Sequence, residues 1–356
     1  MEGPIPPRSK PLSYDALKSV IKSMSVEKRQ ELHHHLPSLR ATNSVLPYII
    51  EVVRIEPISI NIDWKEWYII EHPRIWYRDD DDSNDDDSDN GDSNQTTISI
   101  SYSQKSTPDF HVKESVDEVF EKIFNVYLKN GSTIQYFDFC HVPKFLCERD
   151  GSDGLKLNIS TLIMDNGFDN FDAFIRFVNL DTLENIYLPF ENKFNEHGEL
   201  FGMLERPEII NCKNLDFFVT VPETPPINFI TGLRNQNLVL NHSKFDVNEL
   251  RNLIENWKTS DRPIGTSFCL WSYTLYEYNI KEMFDSLNLQ DTFPIEIQRD
   301  STDKPGIGMT IDDNRDLVVY HCQHLNGIMR YPALKMEVIA SGSEKKNGDS
   351  EPDASA

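Results

Sequence analysis

The first regular apolar spacing in the chain lies in PLSYDALKSVIKSMSVEKRQELHHHLPSLR, from Pro11 to Arg40, and it predicts two short helices. Four apolar residues follow the i, i+3, i+4, i+7 spacing of one helix face: Leu17, Val20, Ile21 and Met24. Ser25 is placed to cap the second helix. The apolar side then continues through Leu32, Leu36 and Leu39. About thirty residues cannot bury such a face alone, so we expect it to pack on the rest of the chain or on a partner.

The pattern changes to that of β-strands from Val52 onward. The segments VVRIEPISINI, EWYII and TTISISYS are rich in branched and aromatic residues and partly alternate with polar ones. A run with nine aspartates, Asp79 to Asn94, separates the last two segments. Its composition cannot offset the entropy lost on ordering, so it is predicted to be a disordered acidic loop between strands.

A spaced apolar triplet, apolar-x-x-apolar-x-apolar, recurs through the middle of the chain. Its six occurrences are Ile134-Phe137-Phe139, Ile159-Leu162-Met164, Leu183-Ile186-Leu188, Cys212-Leu215-Phe217, Asn235-Leu238-Leu240 and Gly265-Phe268-Leu270. Their first residues are 25, 24, 29, 23 and 30 positions apart, and leucine-rich repeats have periods of about 20–29 residues. Two of the six first positions are not apolar, so an ordinary α/β domain stays open as the alternative.

Segments with helical spacing fall between the triplets, and this alternation predicts parallel strands in a curved array. The segments are FDNFDAFIRFV, PPINFITGL and FDVNELRNLIENW. After a last helix at NIKEMFDSL come four strand-like segments, the middle two separated by the turn DNR, which indicate an antiparallel cap. The predicted fold class is therefore α/β, with a helical module, an irregular leucine-rich-repeat-like β/α array with β-rich flanks, and a C-terminal antiparallel cap.

These patterns suggest four segments along the chain. They are a flexible N-terminus (1–10), a helical module (11–50), a β/α domain (51–340) that contains the acidic loop (79–94), and a disordered tail (341–356).

Charge and cysteine content narrow the class of partner. The chain contains 58 acidic and 35 basic residues, so its formal net charge is -23. This charge disfavours binding to nucleic acid. Five cysteines without close pairs and no N-terminal signal segment favour a reducing compartment. No apolar stretch is long enough to span a membrane. We therefore expect a soluble cytoplasmic or nuclear protein.

No motif in the sequence predicts catalysis, a cofactor or a metal. A calcium loop built around Gly91 would place Thr97 where a bidentate glutamate is needed. Zinc would need closely paired ligands, and neither CHVPKFLC (140–147) nor HCQH (321–324) contains a C-x-x-C pair. The three histidines at 33–35 lie round a helical turn without forming a chelating pair. Nucleophile-elbow and phosphate-loop motifs do not occur. The chain is expected not to be an enzyme and to hold no cofactor.

A short helical pair followed by an extended array suggests an adaptor with two binding faces. The N-terminal stretch also resembles the F-box, and the chain is similar to the nematode F-box C-type family, which carries an F-box-associated domain of unknown function. The residues that carry the F-box resemblance are Pro11, Leu12, Leu17, Val20, Ile21, Met24, Arg29, Leu32 and Leu39. Further similarity lies in SLRATNSVLPYI, LRNLIENWKTSDRPIGTSF, DLVVY and LKMEVIASGSEKK.

This resemblance implies a subunit of an SCF-type ubiquitin ligase. The nine residues would dock on a Skp-family adaptor and so join a cullin complex, and the C-terminal domain would bind a protein substrate. Catalysis would belong to other subunits. The alternative is a protein-protein interaction scaffold of the same fold, in which the N-terminal helices pack inward against the β layer.

Overall fold

The chain is mixed α/β and divides after Thr182 into two compact units, here called unit 1 (1–182) and unit 2 (183–356). The computed structural model describes residues 13–72, 95–102, 105–151, 154–164, 170–190, 202–219, 227–242, 247–273, 276–299, 302–326, 328–343 and 345–346. The predicted acidic loop, most of the predicted tail, Pro11 and Leu12 lie outside these ranges. The boundary after Thr182 falls inside the segment 51–340 that the sequence predicts as one domain.

The helices of unit 1 are α1 (Tyr14–Lys22), α2 (Val26–His35), α3 (Arg40–Val45), α4 (Val116–Tyr127), α5 (Lys144–Glu148) and α6 (Phe171–Ile175). The predicted cap of α2 is confirmed, because Ser25 Oγ accepts a hydrogen bond from the Lys28 amide at 3.4 Å. The third helix of the module, α3, follows a 3-10 turn and was not predicted. Nor was α4, although its capping box of Ser115 and Glu118 is readable in the sequence.

The strands of unit 1 are β1 (Ile49–Glu56), β2 (Ser59–Ile62), β3 (Lys65–His72), β4 (Gln95–Tyr102), β5 (Lys105–Ser106), β6 (Phe110–Val112), β7 (Thr133–Phe139) and β8 (Asn158–Met164). On one side of β1 the strands β2, β3, β4 and β6 follow in antiparallel pairs. On its other side β7 and then β8 pair in parallel. Strand β1 therefore joins a parallel half to an antiparallel half.

Unit 2 contains strands β9 (Asn185–Phe190), β10 (Asn214–Val219), β11 (Asn237–His242), β12 (Ser267–Trp271), β13 (Thr292–Arg299), β14 (Thr302–Asp312), β15 (Arg315–Asn326), β16 (Met329–Ala340) and β17 (Lys345–Lys346). Its helices are α7 (Pro207–Ile210), α8 (Ile227–Gly232), α9 (Val247–Thr259) and α10 (Glu277–Asp285). Strands β9 to β12 pair in parallel in chain order. The antiparallel strands β16, β15, β14, β13 and β17 then continue from β12.

The six apolar triplets lie in or directly before the parallel strands β7 to β12. In unit 2 the second residues of four triplets are register partners in one row: Ile186, Leu215, Leu238 and Phe268. Helix α9 between β11 and β12 buries four large apolar side chains, namely Leu250, Leu253, Ile254 and Trp257. The predicted alternation of helices and parallel strands is therefore confirmed, whereas the relation to leucine-rich repeats stays a prediction.

A row of polar side chains crosses the beginnings of the parallel strands in unit 2. Asn237 Nδ2 donates to Asn214 Oδ1 at 2.6 Å, and Asn214 Nδ2 donates in turn to Asn185 Oδ1. Ser267 Oγ extends the row by donating to Asn237 Oδ1 at 2.9 Å. These residues are register partners, so the hydrogen bonds link each strand to the next. This row was not predicted from the sequence, because asparagine also occurs elsewhere between the triplets.

The C-terminal cap was predicted correctly as an antiparallel array, with the turn between β14 and β15 at the DNR segment. Gly308 in β14 packs closely on Phe293, because an added Cβ would overlap the Phe293 ring and the ring would have to move. Ordered pairing extends further than expected. Lys345 and Lys346, in the segment for which the composition predicts disorder, pair with Glu296 and Ile295 of β13.

Candidate interaction surfaces

Arg29 of α2 holds the helical module together and joins it to the start of the sheet. Its side chain is fully buried. Nε donates to Asn43 Oδ1 at 2.7 Å, and the terminal nitrogens donate to the carbonyl oxygens of Asn43, Leu46 and Pro47 at 2.5–2.9 Å. The guanidinium also lies 3.7 Å from the centroid of the Tyr48 ring. Each donor thus satisfies a backbone or amide oxygen that would otherwise be buried without a partner.

The structure divides the predicted docking residues by exposure. Ile21 and Arg29 are buried, and Val20 is 40 % exposed. The half-buried members are Leu17, Met24, Leu32 and Leu39. Pro11 and Leu12 lie outside the described residues. A partner of this surface would therefore contact Val20 and the half-buried residues, whereas Ile21 and Arg29 are engaged within the chain.

The helical module also exposes apolar residues that the docking set does not contain. Tyr14, Leu36 and Val45 are exposed, although Leu36 did belong to the predicted apolar side of the second helix. Exposed single apolar residues are ordinary on protein surfaces, but several within one small module are typical of an interaction site.

A cleft of about 560 Å³ opens between the helical module and the sheet of unit 1. Its walls come from α2 and α3 on one side and from the start of β3 and the end of α4 on the other. Tyr48 forms apolar surface inside it, and its ring lies 5.9 Å from that of Tyr127, whose hydroxyl accepts a hydrogen bond from Gln30. The volume falls within the range of small-molecule sites, about 300–1,000 Å³.

Basic side chains line this cleft. His33, His34, Lys65 and Lys129 line it, and no aspartate or glutamate does so among the described residues. Burial, followed by the neighbouring charge of Arg29, lowers the pKa of Lys129 to about 8. From the sequence, the histidines were predicted not to form a chelating pair, and no role was predicted for the lysines. No local pattern could have found them, because Lys65 and Lys129 meet only through the fold.

Unit 2 exposes a second apolar surface where β12, β15 and β16 lie side by side. The ring centroid of Trp271 lies 4.8–5.0 Å from those of Tyr273, His324 and Tyr331. Beside this aromatic cluster, the end of β15, the turn that follows it and the start of β16 expose Leu325, Ile328 and Met329, of which Ile328 is 96 % exposed. This end of unit 2 is therefore a candidate surface for a protein partner.

The cysteine and histidine segments noted in the sequence do not form a metal centre among the described residues, which contain no group of three or more suitable ligands. Cys269 Sγ lies 3.7 Å from His324 Nδ1, and Cys322 also packs against the aromatic cluster. Burial also raises the pKa of Cys212 to about 12, as expected of a core thiol.

None of the helices in the described part of the chain combines the length and the hydropathy needed to cross a membrane.

Residues 115–272 match the family described as Domain of unknown function (DUF3557). The matched segment begins at Ser115, the N-cap of α4, and ends directly after β12, so it contains all six parallel strands that carry the triplets. The match is consistent with the F-box-associated domain that the sequence resemblance implies. No curated protein and no solved structure matches the chain.

Proposed function

We propose that this chain is the substrate-recognition adaptor of an SCF-type ubiquitin ligase, of the nematode F-box C type. The helical module docks on a Skp-family adaptor that belongs to a cullin complex, and the C-terminal domain, an irregular leucine-rich-repeat-like array, binds a protein substrate. Ubiquitin transfer itself belongs to other subunits. The protein acts in the cytoplasm or the nucleus, where those complexes are found.

The observation that carries this proposal is the division of the helical module into an inner and an outer side. Ile21 and Arg29 are buried, whereas Val20, Leu36 and Val45 remain exposed next to half-buried apolar residues. The module therefore keeps its own structure and still presents apolar surface that nothing in the described chain covers. The exposed residues of β15 and β16 in unit 2 supply a separate surface for the substrate.

The alternative function is a protein-protein interaction scaffold of the same fold without ubiquitin machinery. The buried Ile21 and Val26 and the polar anchor at Arg29 favour it, since they belong to a module held inward. The two functions differ in what the outer residues do, and only the ligase adaptor requires them for a specific contact.

A pull-down of the full chain against a panel of nematode Skp-family adaptors tests the proposal. We expect binding by the parent chain and a loss of at least about tenfold in affinity for Val20→Asp combined with Leu36→Asp, because burying a charge in an apolar interface is costly. Ile58→Asp, which alters an exposed apolar residue in the turn between β1 and β2, serves as the matched control.

Circular dichroism must show that all variants are folded. Substitution of Ile21 is unsuitable, since that side chain is fully buried and its loss would unfold the module. Failure of a well-folded parent chain to bind any adaptor would reject the ligase adaptor and leave the interaction scaffold.

A further inference from the structure

The cationic cleft of unit 1 has a charge opposite to that of the whole protein. The chain carries a formal net charge of -23 with histidine neutral, yet the charged side chains that line the cleft are Lys65 and Lys129. Among the described residues, the adjoining cleft shares His34 and Lys65 with this one and is also lined by Glu27 and Glu31, which are exposed to solvent. In an acidic protein, carboxylates usually neutralise the basic groups near them. A cleft that keeps a positive charge is therefore a candidate site for an anion.

The two lysines of the cleft have no counterion in the part of the chain that the structure describes. Among the described residues their ammonium groups contact aromatic rings: Lys129 Nζ lies 4.7 Å from the centroid of Tyr48, and Lys65 Nζ lies 4.6 Å from that of Trp67 and 5.1 Å from that of Tyr102. Arg29 adds a third positive charge behind Tyr48, and its donors are occupied by neutral oxygens rather than by a carboxylate. The ammonium groups therefore keep donors available for an oxyanion.

We propose that this cleft binds a small organic phosphate, with the phosphate oxygens on Lys65 and Lys129 and the organic part against Tyr48 and Val126. A phosphate monoester carries about -1.5 to -2 charges at neutral pH, which balances two lysines. Lysine is a common phosphate ligand that acts as a point charge. A volume of about 560 Å³ accommodates the phosphate and an aromatic or aliphatic group of similar size.

The same geometry gives the ligand a structural effect. The cleft takes His33 and His34 from α2, whereas Lys65 belongs to β3 and Lys129 follows α4. A ligand that contacts both walls binds more tightly when the helical module is packed on the sheet than when the module has separated from it. Bound phosphate therefore stabilises the packing of the module on the sheet, independently of any ligase function.

Isothermal titration calorimetry of the full chain with phenyl phosphate tests the site, with phenol and inorganic phosphate as partial probes. We expect phenyl phosphate to bind, inorganic phosphate to bind more weakly, and phenol not to bind measurably. Lys65→Gln and Lys129→Gln should each reduce the affinity by about tenfold or more, as the loss of a charge-assisted hydrogen bond does. Lys28→Gln, on the same helix as the histidines but outside the cleft, should leave it unchanged.

The pH dependence provides a second signature. Lys65, His33 and His34 line the same cleft as Lys129, and burial, followed by the neighbouring charge of Arg29, lowers the pKa of Lys129 to about 8. A bound phosphate opposes that effect and raises the pKa again, so binding near pH 8 should take up protons. Titration in buffers of different ionisation enthalpy measures this uptake, which Lys129→Gln should abolish.

Three results would overturn the proposal. The first is absence of phenyl phosphate binding at millimolar concentrations by a folded chain. The second is binding that neither lysine substitution weakens, which would place the ligand elsewhere. The third is an equal loss for Lys28→Gln, which would show general attraction to basic surface. If Lys129→Gln fails to fold, Lys65→Gln with its exposed counterpart Lys28→Gln decides alone.

Discussion

Two aspartates occupy the same position of the apolar triplet in the two units, and the structure treats them differently. Asp138 lies between Phe137 and Phe139 in β7, and Asp216 lies between Leu215 and Phe217 in β10. Asp138 has a register partner of opposite charge, since Arg54 of β1 donates to Asp138 Oδ2 at 2.7 Å. The register partners of Asp216 are Tyr187 and Val239.

The different neighbours leave the two carboxyl groups in different electrostatic states. Asp138 raises the pKa of Arg54, as expected of a favourable ion pair. Asp216 has no such cation on the adjacent strands, and burial raises its pKa to about 7. The position of an aspartate within the triplet therefore does not determine its pKa. The residue on the adjacent strand decides whether the carboxylate is stabilised there.

The largest expected effect comes from removing the charge of the aspartate in unit 2. In the folded protein the pKa of Asp216 lies above its ordinary value of 3.8. Its contribution to the free energy of unfolding is therefore fully present below about pH 4 and is lost as the pH rises to about 7. Above that pH the free energy of unfolding no longer changes with the ionisation of Asp216. Asp216→Asn should therefore raise the free energy of unfolding by about 3 kcal/mol at pH 8 and by little at pH 4. Urea unfolding at several pH values measures both.

Asp285→Asn is the matched control for that prediction, since Asp285 is an exposed residue at the end of α10 in the same unit. It should change the stability by less than about 0.5 kcal/mol at either pH. An equal gain for Asp216→Asn at pH 4 and pH 8 would show that packing or hydrogen bonding, rather than ionisation, limits the stability of β10.

A smaller effect of opposite sign is expected from breaking the pair in unit 1. Arg54→Ala should lower the free energy of unfolding by about 2 kcal/mol. The loss is below that of a fully buried pair because the Arg54 side chain is 54 % exposed. Lys122→Ala, which breaks the exposed pair with Glu114 in the same unit, should cost clearly less because solvent screens that pair. Equal losses would mean that burial of Asp138 adds nothing to the pair.

The triplets could be predicted as strands from the sequence, because apolar residues at that spacing lie on the side of the sheet that helices cover. It could not assign the aspartate between them, since the partner of Asp138 is 84 residues away and is brought near only by parallel pairing of β1 with β7. The same limit applies to Arg29. It was predicted to contact a partner protein, but its donors reach carbonyl groups at the end of α3, a helix that the sequence analysis did not predict.

The smallest effect on stability, and the sharpest on titration, should come from rebuilding the pair of unit 1 within unit 2. Val239→Arg places a guanidinium on β11 at a register partner of Asp216, and a cation so close should lower the pKa of Asp216 by about 1–3. The net change in stability at pH 8 should stay within about 1 kcal/mol, because Val239 also packs against the cluster of Cys269, Trp271 and Ala333. Carboxyl carbon shifts followed by nuclear magnetic resonance would give the pKa directly. Val239→Gln controls for the lost packing without a charge. If both variants leave the titration of Asp216 near pH 7, the adjacent strand does not control this carboxyl group and the comparison between the units fails.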